Sequence, residues 1–229
     1  MTCKYESIVQ WGRSYQEYID MFDLTEFCLN KSILGCGDGP AGFNHTMTMK
    51  GKKVKSIDPI YQYEVKHIEK RINDTFNIVI NQTKENADKF VWTKIKDIET
   101  LGNLRMSAMR EFLNDFENGK KEGRYVYAEL PSLPFADKEF DLALSSHFLF
   151  LYTDNLTMGF HIQAITEMLR VSKEIRIFPL LDINANRSPY VNKIIDFYSD
   201  KGCDVKELKV NYEFQKGGNT MLQIIEGRK

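Results

Sequence analysis

The sequence predicts an α/β protein with a mostly parallel, seven-stranded sheet, helices on both faces, a C-terminal antiparallel hairpin and a helical insertion. Three observations support this prediction. The apolar run at residues 32–34 leads into closely spaced glycines, as at a strand-to-helix turn. Apolar strand candidates alternate with helix-periodic segments along the chain. A short polar segment containing Gly217 and Gly218 separates the last two strand candidates, which is typical of a hairpin.

The composition indicates one globular domain over residues 1–229. Hydrophobic residues make up 42% of the chain and charged residues 28%, and the formal net charge is −1. This balance gives no electrostatic reason to expect nucleic acid or an anionic membrane as partner. No apolar run approaches the roughly 18 residues of a membrane-spanning helix, and no signal peptide is evident. We therefore expect a cytoplasmic protein and leave its oligomeric state open.

The cysteines and histidines do not indicate a metal site. Cysteines occur at positions 3, 28, 36 and 203 without a C-x-x-C pair, and the four histidines have no zinc-ligand spacing. We expect no metal.

The first predicted element is an amphipathic helix at residues 11–28. Its aromatic residues Trp11, Tyr15, Tyr18 and Phe22 recur at spacings of three and four. Such a stripe ordinarily packs on a sheet. In the alternative interpretation, the polar tips of Trp11, Tyr15 and Tyr18 close over a small ligand as a lid.

The glycine loop follows the first strand. Gly35, Gly37 and Gly39 lack the Cβ atoms that would keep a ligand from the backbone, and Cys36 is a small neighbour. Residues 37–42 match the dinucleotide fingerprint G-x-G-x-x-G, and residues 35–39 match G-x-G-x-G, so this stretch alone does not identify the ligand. Pro40 suits the first turn of a helix.

The second strand candidate, residues 54–57, ends at an acidic residue. Asp58 follows Gly37 by about 20 residues, where a carboxylate at the end of a parallel strand accepts the hydroxyls of a ribose. Pro59 favours an extended conformation at Asp58. Residues 60–124 are polar and read as an insertion with helices at 64–72 and 106–116, while 76–80 is either a short strand or part of a helix.

Residues 124–152 carry the most specific pattern in the chain. A strand is followed by Glu129, the Leu-Pro-Phe segment at 133–135, an acidic turn, and Phe-Asp-Leu opening an apolar strand. With the glycine loop, this order resembles class I S-adenosylmethionine-dependent methyltransferases. In that family the acid four residues before the Leu of Leu-Pro-Phe contacts the adenine amino group, and Glu129 holds this position. Two departures are Glu129 itself, where Asp is usual, and Ile33, where the family often has an acid near the methionine amino group.

The resemblance implies S-adenosylmethionine as cofactor and a set of residues that contact it. These residues are Gly35, Cys36, Gly37, Gly39, Asp58, Pro59, Glu129, Leu130 and Ser145. His147 ends the fourth strand, where the family places residues facing the transferable methyl group. An imidazole with a pKa near neutrality would act there as a general base, and the alternative is a structural cap at the end of the strand.

The remaining elements complete the predicted fold. A helix at 162–171, a strand at 174–181 and a helix at 191–198 precede the hairpin of 205–214 and 220–225. A parallel sheet ending in an antiparallel pair is the class I methyltransferase topology. The expected function is a methyltransferase acting on a small molecule. The alternatives are an S-adenosylmethionine-binding regulatory protein without transferase activity and, disfavoured by chain length, an NAD-linked oxidoreductase.

Overall fold

The computed structural model describes residues 9–227 and is built on one seven-stranded sheet. Cys3 lies outside the described residues. The strands are β1 (Ile33–Cys36), β2 (Val54–Ile57), β3 (Tyr125–Val126), β4 (Phe140–Ser146), β5 (Ser172–Phe178), β6 (Asp204–Lys209) and β7 (Thr220–Ile225).

The strand order is β3-β2-β1-β4-β5-β7-β6. Neighbouring strands from β3 to β5 pair in parallel, whereas β7 pairs antiparallel with both β5 and β6. The strands are therefore added on one side of β1 up to β3 and on its other side from β4 onward. The carboxyl ends of β1, β2 and β4 meet at one edge of the sheet. This arrangement confirms the predicted fold class and the antiparallel C-terminal pair.

Seven helices surround the sheet in the described part of the chain. They are α1 (Tyr15–Phe22), α2 (Glu26–Leu29), α3 (Phe43–Met49), α4 (Val65–Glu85), α5 (Ile98–Lys121), α6 (Met158–Val171) and α7 (Val191–Asp200). The two long helices α4 and α5 form the insertion between β2 and β3. Residues 76–80, which the sequence left open, belong to α4. No helix in residues 9–227 combines the length and apolar character that crossing a membrane requires.

The single N-terminal helix predicted for residues 11–28 is wrong, because the structure has two shorter helices. Asp23 adopts a left-handed conformation with φ of 47° and ends α1. The side chain of Thr25 then accepts a hydrogen bond from the backbone N–H of Cys28 and caps α2. The prediction for Pro40 also fails. Helix α3 begins three residues later, at Phe43, with Gly42 as its N-cap.

Both faces of the sheet are buried. Ile33 in β1 and Leu142 in β4 pack on the α1 and α3 side, whereas their neighbours Leu34 and Ala143 pack under α6 and α7. Each of these four side chains is fully buried. This burial explains the continuous apolar runs of the central strands and fixes the edge where the glycine loop emerges.

Candidate active site

A cleft of about 460 Å³ opens at the carboxyl ends of β1, β2 and β4. Its volume lies within the range of small-molecule sites. Gly37, Gly39, Asp58, Arg13 and His147 are among the residues that line it. An open α/β sheet binds its ligands at this edge, where the strand order reverses.

The glycine loop is held in a conformation that needs glycine. Gly37 has a φ of 68° and Gly39 a φ of 54°. The N–H groups of Gly37 and Asp38 both donate to the carbonyl of Ile57, at 2.9 and 3.3 Å, so the loop is tied to the end of β2. A Cβ atom on Gly37 would lie 3.1 Å from the ring of Phe148. On Gly39 it would lie 3.9 Å from Asp58 Oδ2, within the cleft.

Gly35 and Cys36, which the resemblance implied as ligand contacts, are not among the residues that line the cleft. The space that a Cβ atom of Gly35 would need is taken by the carboxylate of Asp38. Cys36 is fully buried in the core on the α6 and α7 side of the sheet. Gly35 supports the conformation of the loop, because a larger side chain there would displace the carboxylate of Asp38.

Asp38 is a cleft residue that the sequence analysis missed. Its Oδ1 accepts a hydrogen bond from the hydroxyl of Tyr18 at 2.7 Å, and its Oδ2 accepts one from Ser56 at 2.6 Å. Burial raises the pKa of Asp38 to about 6, and the nearby carboxylate of Asp58 acts in the same direction. The sequence signal that could have identified Asp38 as a cleft residue was an acid placed between two glycines just after a strand.

Asp58 stands where the sequence predicted it, directly after β2. Its Oδ2 accepts the N–H of Gly39 at 2.8 Å, and its Oδ1 accepts the N–H of Ile60 at 2.9 Å. Burial raises its pKa to about 6, although both backbone hydrogen bonds oppose that rise. A carboxylate has about four lone-pair positions, so Asp58 keeps acceptor capacity for a ligand. Pro59 also lines the cleft and begins a 3-10 turn at 59–62.

Glu129 and Leu130 line the cleft beyond Asp58. Glu129 is exposed at the rim, whereas Leu130 is buried. The segment that follows is anchored because the N–H of Leu133 donates to the carboxylate of Glu167 at 2.7 Å. The structure thus brings Glu129 and Asp58 to one cleft from two separate strand ends.

Ser145 does not line the cleft, and Ser146 does. Ser145 is fully buried in β4, and its hydroxyl has no hydrogen-bond partner in the described part of the chain. Successive side chains of a strand point to opposite faces, so a one-residue difference moves a hydroxyl from the ligand to the core. The structure therefore places Ser146, and not the predicted Ser145, on the cleft.

The aromatic residues of the N-terminal region separate in the structure. Trp11 and Tyr18 line the cleft, but Tyr15 does not. Tyr15 instead stacks on Phe43 with the ring centroids 5.9 Å apart, outside the cleft. Its assignment as a lid residue is therefore corrected.

His147 lies in the cleft with a left-handed backbone, at a φ of 52°. Its N–H donates to the carbonyl of Phe178 at 2.6 Å, and its Nδ1 lies 3.0 Å from the hydroxyl of Ser146. Burial lowers the pKa of His147 well below its ordinary value, and the cations Arg13 and Arg105 lower it further. This environment therefore favours the neutral imidazole and opposes the pKa near neutrality that a general base would need.

A buried ion pair lies under α1, next to the cleft. Arg105 Nη1 contacts Glu17 Oε2 at 2.6 Å, and the hydroxyl of Tyr212 donates to Glu17 Oε1 at 2.9 Å. Arg105 is fully buried. Its partners come from distant parts of the chain, so no local sequence pattern could have predicted this cluster.

The strand order, the reversed β7 and the glycine loop at the sheet edge define a protein with the class I methyltransferase fold. No protein-family model matches the chain. The chain belongs to the same family as the uncharacterized protein MJ0045 of Methanocaldococcus jannaschii. The two are 33% identical over 214 residues, which cover 93% of this chain and 94% of that protein.

Two solved structures are similar to this chain at low sequence identity. The PH0226 protein of Pyrococcus horikoshii is 12% identical with a TM-score of 0.48, and the match covers 93% of this chain and 91% of that one. The magnesium protoporphyrin IX methyltransferase of Synechocystis, solved with bound S-adenosylmethionine, is 9% identical with a TM-score of 0.45, covering 86% and 71% of the respective chains.

Proposed function

We propose that the protein is an S-adenosylmethionine-dependent methyltransferase that acts on a small molecule. The observation that carries this proposal is the position of Asp58. Backbone N–H groups of Gly39 and Ile60 hold its carboxylate at the end of β2, beside the left-handed glycine loop. A carboxylate in that position is suited to the two hydroxyls of a ribose.

The residues present fit such a cofactor. Asp58 would accept the ribose hydroxyls, Glu129 would accept the adenine amino group, and the bare backbone at Gly37 and Gly39 would allow close approach. Asp38 supplies a second carboxylate in the loop, in a chain that has Ile33 where the family often has an acid. Two carboxylates in one cleft favour a ligand that carries positive charge.

When bound, S-adenosylmethionine supplies a methyl group activated by the positive charge on its sulfur. The residues of the cleft would then orient the acceptor and exclude water. Phe148 and Phe160 contribute apolar surface to that task. His147 is neutral, and Ser146 lies next to its Nδ1, so Nε2 is the ring nitrogen left for an acceptor proton. The lowered pKa of this imidazole makes it a weak base, which favours positioning over proton abstraction.

Calorimetry with S-adenosylhomocysteine, S-adenosylmethionine and NAD tests the cofactor. We expect the two sulfur compounds to bind and NAD not to bind. Preferential binding of NAD would instead support an oxidoreductase. A methyl-transfer assay against a metabolite extract then distinguishes an enzyme from a protein that only binds the cofactor. Transfer to a small-molecule fraction is the expected result.

A further inference from the structure

Arg13 is a cation inside the cleft without an acidic partner in the described part of the chain. It precedes α1 and contributes to the lining of the cleft. Its Nη1 donates to the carbonyl of Trp11, while its Nε is buried and has no hydrogen-bond partner among residues 9–227. A buried N–H without an acceptor costs free energy, so Nε of this half-buried side chain favours a ligand that supplies one.

The neighbouring carboxylate of Glu17 is already engaged. Its Oε2 accepts hydrogen bonds from Arg105 and from the N–H and hydroxyl of Ser14, and its Oε1 accepts the hydroxyl of Tyr212. The charge of Glu17 acts on both arginines, but only Arg105 forms an ion pair with it, so the cluster of Arg13, Arg105 and Glu17 has an excess of one positive charge. Burial lowers the pKa of Arg13, and Arg105 lowers it further, but an arginine remains a cation in proteins.

The backbone of Arg13 is fixed in place. Its carbonyl accepts the N–H of Gly42 at 3.0 Å, at the N-cap of α3. The preceding Gly12 lies so close to the carbonyl of Pro40 that a Cβ atom there would overlap it. The backbone of Arg13 is thus attached to the segment that follows the glycine loop, so ligand binding has little backbone freedom left to remove there.

The positive charge of Arg13 acts on the part of the cleft that follows β4. Burial lowers the pKa of His147 and Arg13 lowers it further, whereas burial raises the pKa of Tyr152 and Arg13 opposes that rise; both residues line the cleft. The pKa of Asp58 instead responds to burial and to its two backbone hydrogen bonds. The cleft therefore has carboxylates where we propose the adenosine and a cation beside His147.

We infer that Arg13 binds a carboxylate of the methyl acceptor, and hence that the substrate is a small apolar molecule carrying one anionic group. This inference rests on the proposed function. The apolar body would contact apolar residues of the cleft lining, which include Leu151, Tyr152, Leu156, Phe160, Ile183 and Phe214. A guanidinium matches a planar carboxylate through two parallel hydrogen bonds, which gives both affinity and orientation.

The experiment compares carboxylates with their neutral amides on protein saturated with S-adenosylhomocysteine. The probes are phenylacetate against phenylacetamide and hexanoate against hexanamide, followed by ligand-observed NMR. We expect the wild type to prefer each carboxylate by about 10-fold or more, as for a hydrogen bond to a charged group. Arg13→Gln should remove the preference, and Arg13→Lys should keep part of it. Arg110→Gln, which removes an exposed arginine of α5, should behave as wild type.

Three results would overturn the inference. The first is equal binding, or no binding, of carboxylates and amides by the wild type. The second is an Arg13→Gln variant that keeps the carboxylate preference while its circular dichroism is native. The third is weaker binding of S-adenosylhomocysteine by Arg13→Gln together with normal binding of 5′-methylthioadenosine, which lacks the amino-acid carboxylate. Arg13 would then bind the carboxylate of the cofactor.

The failure of the proposed function is separately visible. If the wild type does not bind S-adenosylhomocysteine at all, the methyltransferase assignment is wrong, and so is the proposal that Arg13 binds the methyl acceptor. A carboxylate preference measured on the ligand-free protein would in that case define an anion site of a different kind. If S-adenosylhomocysteine binds and the amides match the carboxylates, only the inference about Arg13 is wrong.

Discussion

Replacing Asp58 by alanine tests the ribose contact directly. The carboxylate uses two of about four lone-pair positions on the N–H groups of Gly39 and Ile60, which leaves two for ligand hydroxyls. A hydrogen bond to a charged group contributes about 1.5–3 kcal/mol, so the loss of one such contact should weaken binding by about 10- to 150-fold. The same change leaves two backbone N–H groups without an acceptor, so a fall in stability of about 1–3 kcal/mol for each group is expected as well.

A ligand pair separates the direct contact from damage to the loop. We expect the wild type to prefer adenosine over 2′,3′-dideoxyadenosine by about 10-fold or more, and Asp58→Ala to bind both equally. Calorimetry gives the affinities, and urea unfolding gives the change in stability. Asp74→Ala, which removes an exposed carboxylate of α4, is the matched control. Retention of the wild-type preference in Asp58→Ala would refute the assignment of this residue to the ribose.

Three further predictions concern other cleft residues. Burial raises the pKa of Asp38 to about 6 from an ordinary 3.8, so the folded protein binds this proton more tightly than the unfolded chain. The free energy of unfolding should therefore fall as pH rises from about 4 to about 6, and thermal melts of Asp38→Asn should show a smaller fall. Glu129→Ala should weaken the binding of S-adenosylhomocysteine by about 10-fold or more in calorimetry, and an affinity equal to that of the wild type would argue against the adenine contact. His147→Gln should leave the shape of the pH–rate profile between about pH 5.5 and 8.5 unchanged, because burial, Arg13 and Arg105 hold the pKa of the imidazole well below its ordinary value; a flattened profile would restore the general-base hypothesis.

Those elements of the fold and site that depend on local chemistry could be predicted from the sequence. The left-handed turns at Gly37 and Gly39 need glycine. An acid at the end of the next strand falls beside that loop in any parallel sheet with this strand order. The resemblance of the segment around Glu129 and Leu-Pro-Phe to class I methyltransferases pointed to a second carboxylate, and Glu129 lines the same cleft.

Some local predictions failed because small differences in register decide which side of a strand a residue faces. Ser145 and Ser146 are indistinguishable by composition, yet one is in the core and the other lines the cleft. Gly35 fits the same motif as Gly37, but its missing Cβ makes room for Asp38 rather than for a ligand.

The electrostatics of the cleft were decided only by the tertiary structure. The pKa of His147 depends on burial and on Arg13 and Arg105, which precede it by many residues in the chain. Glu17 meets Arg105 and Tyr212 through contacts between α1, α5 and the segment before β7. Charges interact according to their separation in space and the solvent around them, and sequence distance specifies neither. The sequence by itself therefore predicted the fold class and a set of cofactor contacts, whereas only the folded chain placed Arg13 in the cleft as the cation that we assign to the acceptor.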